Sequence, residues 1–149
     1  MTLRIMRRLG AITLLVVGAV HLQQYIGNDY SVLPTIGPLF LLNAIGAGIV
    51  AICLLAPIER ILKDRQADLV TGLLSAVALA IAIGSLVALF IAESQPLFGF
   101  MESGYDTPIL IAIVSEALTT ILLAPVAVAS LRRASSGVRV ARSRSALSS

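Results

Sequence analysis

A chain of 149 residues that is 58% hydrophobic and only 13% charged, with a mean hydropathy of +0.97, excludes an ordinary soluble domain, in which about a quarter of residues carry charge. The net charge of +3 and pI near 9.6 would suit nucleic acid, but the eleven Lys and Arg fall only at the ends of four apolar runs, so no nucleic-acid partner is expected. A single cysteine, Cys53, excludes a disulfide framework or a thiolate metal site within one chain.

The four runs cover residues 9–26, 36–56, 69–92 and 109–131, or 18, 21, 24 and 23 residues. About 20 apolar residues cross a hydrocarbon core of roughly 30 Å as a helix, the form that satisfies every backbone amide within its own segment. The expected fold is therefore all-α, a polytopic bundle of four transmembrane helices running up, down, up and down. Arg4, Arg7 and Arg8 precede the first run, and no A-x-A-like cleavage site follows it, so it is read as a retained span rather than a secretory signal. Arg60, Lys63 and Arg65 lie between the second and third runs. Arg132, Arg133, Arg139, Arg142 and Arg144 follow the fourth. The connections 27–35 and 93–108 contain neither Lys nor Arg. Basic loops stay in the cytoplasm, which puts both termini inside and the protein in the cytoplasmic membrane.

Within the link 57–68, Glu59 and Lys63 have the i, i+4 spacing of a helical ion pair. The segment 132–149, rich in Ser and Arg, is expected to be disordered in water and to lie against anionic lipid headgroups. A weak internal duplication is also visible. Asn28-Asp29-Tyr30 before Pro34, and Gly104-Tyr105-Asp106 before Pro108, occupy matching places in two helical hairpins.

On the third run Ala76, Ala80, Gly84 and Ala88 recur every four residues. Small residues so spaced let helices approach closely, so a helix–helix contact is expected there, within one chain or in a homo-oligomer.

Glu116 is the outlier among the few polar residues in the runs. It lies roughly 12 Å along its helix from the outer end, where an acidic residue costs on the order of 2.5–3.5 kcal/mol. It should face inward. Asn43 and His21 lie at similar depth, and Thr119 and Thr120 could extend the layer. In one reading this cluster fixes helix register. In the other, Glu116 binds a cation, a proton or the polar head of a lipophilic ligand. No catalytic motif is present, a lone histidine makes no bis-histidine haem site, and neither metal nor cofactor is expected.

All seven aromatic residues lie in the outer loops or outer halves of the runs. Tyr25, Tyr30, Phe98, Phe100 and Tyr105, with Glu102 and Asp106, form an apolar face rimmed with acid, as a partner-binding surface would. Residues 96–102 are too apolar for a solvated loop and are expected to cap the bundle.

His21-Leu-x-x-Tyr25, Leu39-Phe-Leu-Leu-Asn43 and Leu97-Phe-Gly-Phe-x-Glu102, in that order, resemble small four-helix integral membrane proteins of high-GC Gram-positive bacteria, over residues 1 to about 131. The arrangement is also loosely similar to DoxX-like four-helix proteins, without their specific motif. The first resemblance implies a cytoplasmic-membrane location and no assigned activity. The leading expectation is an accessory or scaffold protein that docks a membrane or extracytoplasmic partner on its outer face. The alternative is a proton- or cation-coupled carrier or lipophilic-ligand site centred on Glu116.

Overall fold

The structure, a computed structural model, describes residues 2–27, 30–102 and 104–147, with side chains as far as residue 136. Asn28 and Asp29, part of the repeated loop pattern, and the side chains of Arg139, Arg142 and Arg144 lie outside the described residues. The elements are α1 (Leu3–Gly27), a 3-10 turn (Tyr30–Val32), α2 (Ile36–Leu55), the short α3 (Ile58–Ile61), α4 (Asp64–Ser94) and α5 (Thr107–Leu147). Four of these helices are long and apolar enough to cross a membrane, which points to a multi-pass membrane protein.

The helix limits follow local chemistry. Pro38 sits in the first turn of α2, where its missing N–H costs nothing. Asp106 caps α5, its carboxylate accepting from the Ile109 amide at 3.0 Å. That role was not among the expectations for Asp106, which had been grouped with the outer-face binding residues. α4 begins at Asp64, before the apolar run, and the added turn carries Asp68 to a 3.0 Å ion pair with Arg133.

One expectation about the basic segments is corrected. The pair of Glu59 with Lys63 does not form, because α3 stops at Ile61 and Lys63 lies beyond the helix. Glu59 instead meets Arg7, Oε1 to Nη1 at 3.0 Å, and Arg7 is only 4% exposed. Beyond Leu131 the backbone is helical as far as Leu147. α5 continues through Arg132 and Arg133, Ala134 is buried, and the Ala134 carbonyl accepts from the Arg65 guanidinium at 3.3 Å.

α1 packs along both α2 and α5, and α5 along α4, whereas α2 and α4 touch more sparingly. The apolar core is built from Ala11, Leu14 and Val17 of α1, Ala47, Val50, Ala51 and Leu54 of α2, Ala78 of α4 and Leu123 of α5. Close approach is real at three other glycines. A Cβ on Gly10 would fall 2.5 Å from Leu123, one on Gly72 2.7 Å from Leu131, and one on Gly18 3.1 Å from the Ala44 carbonyl. On α4 the buried positions Ala67, Thr71, Ser75, Ala78 and Ala82, with Gly72 beside them and Ala92 near the far end, define a face offset from the stripe of small residues picked out in the sequence.

Candidate functional site

The core fills the half of the bundle nearer Arg7 and Glu59. In the other half the four helices stand apart around a cavity of about 560 Å³. Val20, His21 and Gln24 of α1 line it, with Leu39, Phe40, Leu42, Asn43 and Gly46 of α2. From α4 come Ala80, Gly84, Ser85 and Ala88, and from α5 Ile109, Ala112 and Glu116. Of the expected contact stripe Ala76, Ala80, Gly84 and Ala88, the last three meet no neighbouring helix within the chain among the described residues. Ala80, Gly84 and Ala88 form a cavity wall, and a Cβ at Gly84 would meet nothing within 4 Å. Periodic small residues make a face without bulk, and the sparse packing of α2 on α4 leaves that face open. The gap lies between these helices, where Leu42 remains 66% exposed on one lip and Gly84 is exposed on the other.

Each long helix sends one polar side chain to a common point. His21 Nδ1 lies 2.9 Å from the Val17 carbonyl, which can only accept, so Nδ1 carries a proton. In the neutral ring Nε2 is then the acceptor. It lies 2.9 Å from the Ser85 hydroxyl and 3.3 Å from Asn43 Nδ2. Glu116 Oε1 is 3.9 Å from the same nitrogen, just beyond hydrogen-bond distance. The Ser85 hydroxyl also reaches the Glu116 carboxyl. With one proton to give, Ser85 serves ring or carboxylate, and serves both when the other carries a proton.

Glu116 is 1% exposed, and its Oε1 has no hydrogen-bond partner among the described residues. Asn43 Oδ1 is likewise buried without one. Buried polar atoms are normally paired, so two orphaned acceptors on facing walls of one cavity are unusual.

Of the expected layer, His21, Asn43 and Glu116 come together and Thr119 and Thr120 do not. Thr119 turns to α1, its hydroxyl 2.8 Å from that of Thr13, which in turn donates to the Gly10 carbonyl. Thr120 donates to the Glu116 carbonyl of its own helix. Ser85 and Gln24 join the site without having been singled out. Both were visible as polar residues in apolar runs, but only the packing of α4 against α5 separates Ser85, at the site, from Ser75 in the core.

The loop between α4 and α5 closes the near end of the cavity. Leu97 and Phe100 exchange backbone hydrogen bonds, Leu97 N to Phe100 O at 2.7 Å and Phe100 N to Leu97 O at 3.0 Å. The Glu102 amide returns to the Ala92 carbonyl at 3.0 Å, and Leu97, Phe100 and Glu102 line the cavity. Tyr30 donates to Glu102 Oε2 at 2.6 Å, stacks on Phe40 at 4.8 Å and makes a T-shaped contact with Phe100 at 5.3 Å. Phe40 in turn lies 5.0 Å from the His21 ring. Burial first, and then the Glu102 carboxylate, push the Tyr30 phenol above its ordinary value. Of the expected outer face, Tyr30, Phe100 and Glu102 therefore turn inward to the lid. Phe98 and Tyr105 are exposed, Tyr105 donating to Glu93, and Tyr25, in the last turns of α1, is half-buried without lining the cavity.

Among the described residues no group of three His, Cys, Asp or Glu is placed to hold a metal ion. No protein-family model matches this chain, and neither a curated protein nor a solved structure is significantly similar to it.

Proposed function

We propose that this is a protein of the cytoplasmic membrane that binds an amphiphilic ligand entering sideways from the bilayer between α2 and α4. One observation carries the reading: a cavity with mostly apolar walls that ends in a buried carboxyl with an orphaned oxygen. Ligand sites combine this apolar lining with a few convergent polar groups, and ionisable groups inside spans mark ligand or ion pathways. A volume of about 560 Å³ suits a single-chain amphiphile with its tail leaving through the gap. The helices alternate in direction with both termini cytoplasmic, because all eleven Lys and Arg then face one side.

Native mass spectrometry of the detergent-solubilised protein tests the ligand site with twelve-carbon probes bearing an alcohol, an amine or a carboxylate. At least one binds the natural chain, and Gly84→Leu, which fills the cavity, lowers its occupancy about tenfold with thermal stability kept. Equal occupancy in both proteins overturns the reading. Reagent labelling of Ser31→Cys from the cytoplasmic side alone would overturn the orientation.

A second reading, a docking face for a membrane or extracytoplasmic protein, is favoured by the exposure of Phe98, Met101 and Tyr105 beside Glu93. Its test is separate. Phe98→Ser with Tyr105→Ser would abolish such docking and leave probe binding unchanged.

A further inference from the structure

Resting on the ligand site just proposed, we infer that its occupant is a protonated amine on an apolar chain, with the ammonium held between Glu116 of α5 and Asn43 of α2. The groups left without partners decide the head. Glu116 Oε1 and Asn43 Oδ1 are both acceptors, both buried, and both lack hydrogen-bond partners among the described residues. A ligand that completes them must donate more than one hydrogen bond from one atom. An ammonium has the donors and no acceptor, whereas a hydroxyl has one proton and a carboxylate none.

Charge agrees with hydrogen bonding. Among the described residues no Lys or Arg lines the cavity, while two carboxyl groups, Glu116 and Glu102, do. An anionic head would meet two acids with no counter-charge. An ammonium gives Glu116 the partner that a buried carboxylate needs, and it does so where water is scarce and the ion pair is weakly screened. The His21 ring does not compete for the place, since Nε2 already faces Ser85 and Asn43 Nδ2. The rings of Phe40 and Phe100 line the same cavity and keep its walls aromatic and apolar near the polar cluster. The open stripe at Ala80, Gly84 and Ala88 receives the chain.

An amine of this kind has two sources, a free lipophilic amine or the ethanolamine head of a membrane phospholipid. The chemistry at Glu116 is common to both. The phosphate of the phospholipid would find no basic side chain in the cavity, so the free amine should bind more tightly.

The experiment compares dodecylamine, dodecanol and dodecanoic acid at equal concentration by native mass spectrometry, on the natural chain and on Glu116→Gln. Phosphatidylethanolamine and phosphatidylcholine are added in separate runs. The expected result is at least tenfold higher occupancy by the amine than by the alcohol or acid. Glu116→Gln should bring amine and alcohol close to parity with thermal stability kept, because Gln preserves shape but carries no charge. Asn43→Ala should lower amine occupancy without favouring the acid. Displacement of the amine by phosphatidylethanolamine but not phosphatidylcholine would name the lipid as source, and displacement by neither would name the free amine. Equal binding of amine and alcohol, or a preference unchanged in Glu116→Gln, overturns the inference while the cavity reading stands. If none of the three probes binds, both fall.

Discussion

Glu116 Oε1 lies 3.9 Å from His21 Nε2, close enough for each to sense a charge on the other and too far for a hydrogen bond. The ring, and not the carboxyl, is the joint of this polar layer, since Ser85 and Asn43 both point at Nε2. His21→Ala should therefore cost about 1–3 kcal/mol, because it removes the ring nitrogen that Ser85 and Asn43 share and leaves the Asn43 amide without its partner. Glu116→Gln should change stability by less than about 1 kcal/mol, as its Oε1 has no bond to lose. Thermal unfolding in detergent measures both. Equal losses would show that the carboxyl holds the layer.

Two glycines, Gly37 in the first turn of α2 and Gly84 well inside α4, behave oppositely. A Cβ on Gly37 would lie 2.6 Å from the Tyr30 carbonyl, and backbone cannot swing aside as a side chain can. Gly37→Ala should cost about 1–3 kcal/mol through overpacking. Gly84→Ala meets nothing within 4 Å and should be neutral or stabilising by up to about 1 kcal/mol, from helix propensity alone. Destabilisation by Gly84→Ala would mean that α4 is closed against a neighbour at this point.

That contrast also shows how much was legible in the sequence. The four apolar runs, with ends near Gly27, Ile36, Leu55 and Thr107, were readable because length and hydropathy alone specify helices in lipid. The meeting of His21, Asn43 and Glu116 was readable because the cost of burying polar groups at one depth sends them to the bundle interior. Which face of α4 packs was not. Ala76 to Ala88 and Thr71 to Ala82 are both small stripes, and the choice between them rests on what α2 and α5 present in space. Glu59 was misassigned to Lys63 for the same reason. Local spacing was visible, but the nearby end of α1 with Arg7 was not.

Tyr30 ties the first loop to the second through Glu102, and the bond depends on the phenolic proton. Its folded value is raised above the ordinary 10, by burial first and by Glu102 second. A group raised on folding adds stability that is fully present below pH 10 and lost as pH rises through the folded value. The stability of the natural chain should therefore fall more steeply above pH 10 than that of Tyr30→Phe. Tyr105 titrates in the same direction, through its bond to Glu93, but is unchanged in the variant, so it cancels from the comparison. Parallel alkaline curves for the two proteins would refute a stabilising role for this bond.

At the other end of the bundle the sign reverses. Burial would raise the Glu59 carboxyl, but a backbone hydrogen bond and the charges of Arg7 and Arg4 outweigh it and hold the group below its ordinary 4.5. The resulting stability is present above pH 4.5 and lost as pH falls through the folded value. Glu59→Gln should flatten that acid loss. At neutral pH it should cost about 1–2 kcal/mol, less than the 3–5 kcal/mol of a fully buried pair, because the Glu59 side chain stays 39% exposed. An acid limb of the unfolding curve identical to that of the natural chain would assign the loss to other carboxyls.

The turn that closes the cavity holds Phe98 at φ +52°, followed by Gly99 at φ +80°. Two consecutive positive φ values between paired residues are the geometry of a type I′ hairpin turn, which favours Asn-Gly or Gly-Gly. A bulky residue in this region costs on the order of 1–2 kcal/mol. Phe98 is 67% exposed, so little protein packing offsets that cost. Phe98→Gly should therefore stabilise the turn by up to about 1 kcal/mol, the gain being reduced by the greater freedom of glycine in the unfolded chain. The turn carries Leu97 and Phe100 into the cavity wall, so the variant should also slow exchange of a bound twelve-carbon probe. Thermal unfolding and probe exchange together check it. A lower melting temperature in Phe98→Gly would mean that the exposed ring is held by the bilayer interface or by a partner, and that the strained backbone is retained for that contact.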